Sequence, residues 1–197
     1  MTSLPRVERG ELLVGRAAIA RHVRRLGREI AADHPDGVVL VGVLKGSLIF
    51  LADLARAVPP TTPLMIDFLA LTRYAPDSGR VRLLQDLVLD VSGRDVVLVE
   101  DLVDTGLTLS YLLNHVRERG ARRVEVCTLL DRTARRIVPL ELRYVGQQIP
   151  DVFALGYGLH VADLYRNLPE IVEADATVIR DDPAAYVSDL YGRQETE

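Results

Sequence analysis

The chain has 197 residues, 48% hydrophobic and 26% charged, with a formal net charge of −4 at pH 7. That length suits one domain with small appendages and a sizeable core, and the acidic balance argues against a surface that holds nucleic acid by neutralising phosphates. A single cysteine, Cys127, excludes an intrachain disulfide and any cysteine-built zinc site. With no Trp and three Phe, the core must be made of Leu, Val, Ile and Ala. The N-terminus lacks the apolar core of a signal peptide, and no apolar run approaches the ~18–20 residues that span a bilayer. The expected setting is the cytoplasm.

From about Val14 to Asp33 the spacing predicts an amphipathic helix, with Ile19, Val23, Leu26 and Ile30 on one face. His34-Pro35-Asp36-Gly37 is turn chemistry that ends it. Val38 to Leu44 is apolar without alternation, the pattern of a strand buried on both faces. After Lys45-Gly46-Ser47, helical periodicity runs from Leu48 to Val58 and stops at Pro59-Pro60. Leu64 to Leu71 reads as a strand, Tyr74 to Arg80 as a polar loop, and Val81 to Leu89 as another strand. Ser92-Gly93-Arg94 turns the chain into Asp95–Val99, the clearest buried strand of all.

Thr105 to Arg119 reads as a helix stopped by Gly120, and Val124 to Leu130 as a strand that carries Cys127 as a small hydrophobe. Leu142–Val145 and Val152–Leu155 suit short strands. Strands alternating with helices predict an α/β domain with a mostly parallel sheet covered on both sides. From about Glu173 the chain turns acidic and is broken at Pro183, with Tyr186, Val187, Leu190 and Tyr191 suited to a short docking helix.

One segment concentrates the chemistry: Val96-Val97-Leu98-Val99-Glu100-Asp101-Leu102-Val103-Asp104-Thr105-Gly106-Leu107-Thr108. Two adjacent carboxylates follow an apolar strand at the edge where open α/β sheets bind ligands. A tight loop then leads into a helix start, whose first N–H groups point outward as an anion site. Thr105 and Thr108 add hydroxyls, and Gly106 permits close approach. Carboxylates beside a phosphate cradle would repel the anion unless they accept from sugar hydroxyls or hold Mg²⁺ through water. A phosphorylated sugar meets both demands, whereas a plain helix cap at Asp104-Thr105 would not require the preceding acids. The loop lacks the Gly-x₄-Gly-Lys-Ser/Thr of nucleotide-binding P-loops.

Glu100-Asp101-Leu102-Val103-Asp104-Thr105-Gly106-Leu107-Thr108 resembles the phosphoribosyl-pyrophosphate (PRPP) motif of type I phosphoribosyltransferases, in the version found in hypoxanthine–guanine enzymes. Val41 to Ser47 resembles that family's pyrophosphate loop, in which the Leu-Lys peptide is typically cis. Tyr74 to Gly79 resembles its mobile loop, Ile149 to Leu159 its purine-binding strand, and Tyr165-Arg166-Asn167-Leu168-Pro169 the segment that closes it. The similarity runs from roughly Glu11 to Ile171.

The resemblance implies a central, mostly parallel sheet flanked by helices, with a small hood subdomain. Residues 1–172 would form the phosphoribosyltransferase domain and 173–197 an acidic C-terminal extension. The implied reaction is purine salvage, moving the 5-phosphoribosyl group from PRPP to N9 of hypoxanthine and/or guanine and releasing pyrophosphate. Mg²⁺ is the implied cofactor, PRPP and a purine base the partners, and a homodimer or homotetramer the assembly. In this scheme Asp104, Thr105, Gly106, Leu107 and Thr108 hold the 5′-phosphate, while Glu100 and Asp101 hold the ribose hydroxyls and part of the metal's water shell. Lys45, Gly46 and Arg166 contact pyrophosphate, and the loop at Arg73-Tyr74 closes over the centre. Asp104 handles the proton at N7 of the base, Phe153 stacks on it, and Ala154 and Arg132 border it.

Three positions depart from the family pattern. Arg132 stands where a Lys donates to the base's 6-oxo group, and His160 where an Asp binds a second Mg²⁺. Arg73 precedes Tyr74 in place of a Ser. Imidazole suits a hard, oxygen-seeking cation poorly. The departures at Arg132 and His160 favour a second reading, a PRPP-dependent transferase acting on xanthine or another heterocycle. A third is a non-catalytic PRPP or nucleotide sensor of the same fold, against which stands Asp104.

Overall fold

Apolar runs without alternation become interior strands here, and amphipathic runs become the helices that cover them. The computed structural model describes residues 10–73 and 81–192, apart from the side chains of Arg73 and Val81. The loop expected from Tyr74 to Arg80 lies outside the described residues, as do residues 193–197. The chain divides into two compact units, residues 17–151 and residues 10–16 with 152–192.

After a short strand β1 (Leu12–Val14) come α1 (Arg16–Asp33), β2 (Val38–Leu44), α2 (Leu48–Ala57), β3 (Leu64–Arg73) and β4 (Val81–Gln85). They are followed by β5 (Asp95–Val103), α3 (Leu107–Glu118), β6 (Arg123–Asp131) and β7 (Tyr144–Gln148). The larger unit is built on a six-stranded sheet in the order β4-β3-β2-β5-β6-β7. Strands β3, β2, β5, β6 and β7 are parallel, and β4 joins the edge antiparallel. Val39, Val41, Val96, Leu98 and Val126 are buried together with Leu109, Leu112 and Val116 of α3. Removing each such side chain from water contributes about 1.5–3 kcal/mol.

The smaller unit pairs β1 with β9 (Ile171–Ala174), and β9 with β8 (Phe153–Leu155), all antiparallel. Two short helices, α4 (Ala176–Asp181) and α5 (Val187–Tyr191), bury Ile179, Tyr186 and Leu190 in a core with Leu155, Tyr165 and Leu168. Asp175 caps α4, accepting from the N–H groups of Thr177 and Val178. The boundary expected at residue 172/173 therefore falls inside β9, and the acidic stretch as far as residue 192 packs within the smaller unit.

Several boundaries differ from the sequence reading, most of them where a distant partner decides. Val14 ends β1 instead of opening a helix, since Leu12 pairs with Val172. Strand β4 stops at Gln85; beyond it the Leu87 N–H donates to Asp86 Oδ1, and buried Asp67 Oδ2 accepts from the Val88 and Leu89 N–H groups at 2.8 Å each. Strand β5 runs past Val99 because β6 continues beside it, with Glu100 opposite Thr128 and Val103 opposite Asp131. Helix α3 begins at Leu107, after Gly106 at φ +83°.

Candidate active site

The carboxyl ends of β2, β5 and β6 are neighbours, so the larger unit brings most of the expected residues to one edge of the sheet. The Leu44–Lys45 peptide that ends β2 is cis, in line with the expected pyrophosphate loop. Lys45 is exposed, while Ser47 is fully buried and its hydroxyl donates to the Val43 carbonyl at 2.8 Å. Gly46 lies directly against β5: a Cβ there would sit 2.2 Å from Asp101 Oδ2. Only a glycine lets the turn after β2 approach that carboxylate so closely.

Glu100 and Asp101 lie near the carboxyl end of β5, both partly buried. Burial, and secondarily the charge of Asp101, hold the Glu100 carboxyl well above the usual carboxylate range. A neighbouring cation would stabilise the charged form of Glu100. Among the described residues no group of three or more His, Cys, Asp or Glu is gathered for a metal, which leaves Glu100 and Asp101 as a two-carboxylate donor set. That donor set fits Mg²⁺, which keeps several waters and uses one or two carboxylates plus substrate phosphates.

The loop from Asp104 to Gly106 is held from behind by the segment after β6, where Thr133–Arg135 makes one 3-10 turn. The Ile137 and Val138 N–H groups donate to the Thr105 carbonyl at 2.9 and 3.1 Å. Arg136 Nε donates to the Asp104 carbonyl at 2.9 Å, and its Nη2 pairs with the buried Asp131 carboxylate. Gly106 is closed in by Leu140, Arg136 and Val138 O, all within about 3.1 Å of where a Cβ would be. Its φ of +83° adds a second demand for glycine. The loop thus turns sharply with its back packed at the start of α3, where the Leu107 N–H donates to the Thr105 hydroxyl oxygen at 3.4 Å and the other first-turn N–H groups have no intrahelical acceptor.

Asp104 sits at the mouth of this loop. Its Oδ2 lies 3.4 Å from Arg132 Nη2. Its Oδ1 is buried and has no hydrogen-bond partner among the described residues. A buried acceptor left open costs about 1–3 kcal/mol, the kind of cost that a ligand's proton removes. Arg132 is itself buried, with its backbone N–H on the Val103 carbonyl at 3.0 Å and its Nη1 3.8 Å from Asp151.

Four of the expected residues, Phe153, Ala154, His160 and Arg166, belong to the smaller unit. Phe153 and Ala154 lie on β8, opposite Ala174 and Glu173 of β9. Arg166 donates from Nη1 to the Gly158 carbonyl at 2.7 Å and from Nη2 to Asp163 at 2.8 Å. His160 accepts the Asp163 N–H on Nδ1 at 3.1 Å. Both side chains thus brace the segment 156–166, where Tyr157, Ala162, Asp163 and Tyr165 all have positive φ. Arg73 ends β3, its side chain not described, and Tyr74 lies outside the described residues.

Sequence reasoning passed over Arg136, Asp131 and Asp151. A signal was present, three arginines (Arg132, Arg135, Arg136) crowded just after a buried strand, since a hydrated face needs no such position. Cys127 is fully buried, and burial pushes its thiol up, out of reach of nucleophilic chemistry. No helix among the described residues is long and apolar enough to cross a membrane.

The chain has clear relatives among known proteins. The phosphoribosyl transferase domain family matches residues 13–162. The chain is 40% identical over 165 residues to a hypoxanthine-guanine phosphoribosyltransferase of Bacillus subtilis, covering 82% of this chain and 91% of that one. It is 42% identical over 170 residues to the protein of that name from Mycobacterium avium, covering 81% and 83%. A crystal structure of a hypoxanthine-guanine phosphoribosyltransferase from Bacillus anthracis superposes with a TM-score of 0.81 at 38% identity, covering 85% of this chain and all of that one.

Proposed function

Since the chain belongs to the phosphoribosyltransferase family, we propose that it is a purine salvage enzyme, transferring the phosphoribosyl group of PRPP to N9 of hypoxanthine or guanine with release of pyrophosphate. The observation that carries this reading is the Asp104 carboxylate: one oxygen held by Arg132, the other buried and open, at the mouth of a phosphate-binding loop. Simple anion binding would not tolerate a carboxylate there. A carboxylate that accepts the N7 proton of an incoming base, and returns it in the reverse reaction, explains the placement.

The outward amides from Thr105 to Thr108, with the two hydroxyls, hold the 5′-phosphate at the start of α3. Glu100 and Asp101 accept from the ribose 2′- and 3′-hydroxyls, which orients C1′ for attack. Lys45 and the Gly46 amide meet the departing pyrophosphate at the end of β2. Glu100 and Asp101 would hold Mg²⁺ largely through water, and the ion would neutralise charge on the polyphosphate. Phe153 and Ala154 are assigned to the base and Arg166 to the anion, each open to test by substitution. We assign the enzyme to the cytoplasm as a homodimer or homotetramer.

Incubation with PRPP, Mg²⁺ and a panel of bases, scored by pyrophosphate release, tests the assignment. Turnover with hypoxanthine or guanine is expected. Turnover confined to xanthine or another heterocycle would move the chain to the second reading, which Arg132 favours because it stands where the family's base-contacting Lys does. Asp104→Asn should keep PRPP affinity and lose about 10²–10⁴-fold in kcat, the span of general acid–base catalysis. Wild-type activity in that variant would remove Asp104 from the chemistry.

A further inference from the structure

We infer that Arg132 is a positioning residue for Asp104, and that Asp151 and Arg135 hold Arg132 to that task. The inference rests on the proposed role of Asp104 and extends it.

The Arg132 side chain is 8% exposed and fixed at both ends. Its backbone is tied to the end of β5 by the N–H bond to the Val103 carbonyl, one residue before Asp104. Its head lies between two carboxylates, Nη2 toward Asp104 Oδ2 at 3.4 Å and Nη1 toward Asp151 Oδ1 at 3.8 Å. Asp151 is gripped from its solvent side by Arg135. The result is a row of alternating charge, Arg135–Asp151–Arg132–Asp104, with one end at the surface and the other at the proposed reaction centre.

A guanidinium is a planar fork, so fixing one nitrogen sets the direction of the other. At 3.8 Å Asp151 attracts Nη1 electrostatically, without a hydrogen bond, and so favours the orientation of the fork that turns Nη2 to Asp104. By occupying Oδ2, that nitrogen turns the Asp104 carboxylate so that Oδ1 is the oxygen left open. A lysine ammonium, a single point of charge on a flexible stem, could neutralise Asp104 but could not be aimed from Asp151 in this way. The positioning assigns a part in catalysis to Asp151, a half-exposed residue otherwise without one.

The test is a double-mutant cycle with hypoxanthine or guanine as acceptor, with PRPP affinity measured by calorimetry as the check on folding. Arg132→Met is expected to lower kcat by about 10²-fold, the effect of misplacing a reacting group by about 1 Å, with PRPP affinity unchanged. Arg132→Lys should recover part of the loss. In the Asp104→Asn background the same Arg132→Met change should cost less than about 3-fold, because the group it orients is gone. Asp151→Asn should reduce kcat about 5-fold with the KM for PRPP unchanged; this variant carries the test if Arg132→Met fails to bind PRPP. Multiplying losses in the double variant would overturn the inference, as would an Arg132→Met enzyme with a raised KM for the base and normal kcat. Those outcomes leave the loss in Asp104→Asn intact, whereas a fully active Asp104→Asn would sink the underlying reading and this inference with it.

Discussion

At the scale of single residues, the site depends on close approaches as much as on charged groups. Gly46 touches the carboxylate of Asp101, and a methyl group there would have to push that carboxylate aside. Since Asp101 is assigned to the ribose hydroxyls, Gly46→Ala should raise the KM for PRPP at least 10-fold in steady-state assays. Thermal stability should stay within a few degrees of wild type, because the methyl group meets a side chain at a solvent edge rather than the core. A variant with normal KM would show that Asp101 moves without consequence. Lys45-Gly46 is assigned to the proposed site by its likeness to a pyrophosphate loop. The reason for the glycine was not, because the contact is with a residue 55 positions later in the chain.

At the scale of elements, the loop assigned to the phosphate is shaped by the segment that follows the neighbouring strand. Arg136 donates to the Asp104 carbonyl and neutralises Asp131, which is buried. Arg136→Met would keep the stem and remove both interactions, so that Asp131 loses its cation and keeps the hydrogen bond from the Thr133 hydroxyl. A charge stranded in this way typically costs about 3–5 kcal/mol. The expected result is a lower urea midpoint, read by circular dichroism, together with weaker PRPP binding. An unchanged midpoint would show that Asp131 is relieved by water or by its own protonation. The acids and the loop could be read from residues 96–108, because an apolar run followed by charge marks a strand's binding end. The brace could not, because nothing in residues 133–138 says which strand end they fold back on.

At the scale of the whole larger unit, the opposite edge of the sheet carries a second polar cluster, which serves stability. His34, just after α1, is fully enclosed. Its Nδ1 lies 3.0 Å from Asp95 on β5, and its Nε2 lies 3.0 Å from Glu125 on β6 and 3.2 Å from the Tyr144 hydroxyl on β7. Tyr144 donates in turn to Asp33 at the end of α1. One ring thus ties a helix end to three strand starts. His34→Ala would leave two inward carboxylates facing a void, at a cost of about 3 kcal/mol. The expected result is a clearly lower Tm with unchanged kcat at low temperature.

Acid should loosen the same edge. The Arg122 guanidinium first, and His34 after it, hold the Asp95 carboxyl below its ordinary value; Arg143 and then Tyr144 do the same for Asp33. A carboxyl depressed in the folded state stabilises it above the unfolded value, about 3.9. That contribution is lost as pH falls from there through the lower folded values. Urea midpoints should therefore fall below about pH 4, whereas the raised Glu100 carboxyl acts in the opposite sense at higher pH, where its protonation relieves a penalty. In a Glu100→Gln background, which removes that opposing group, a midpoint that rises as pH falls below about 4 would contradict this assignment.

Residue order alone determined the alternation of strands and helices, the parallel core and the place of Glu100 and Asp101 at the end of a central strand. Each of these is written in local periodicity and in the chemistry of a few adjacent side chains. Tertiary structure decided what depends on partners far along the chain. Strand β1 exists only because β9 lies beside it, and β4 ends where Asp67 captures two amides. Tyr186 and Leu190 of the acidic C-terminal stretch lie in one core with Leu155 and Tyr165. Arg132 shows the limit most plainly, since a guanidinium's role is set by the carboxylates at its two ends, and folding alone brings Asp104 and Asp151 to them.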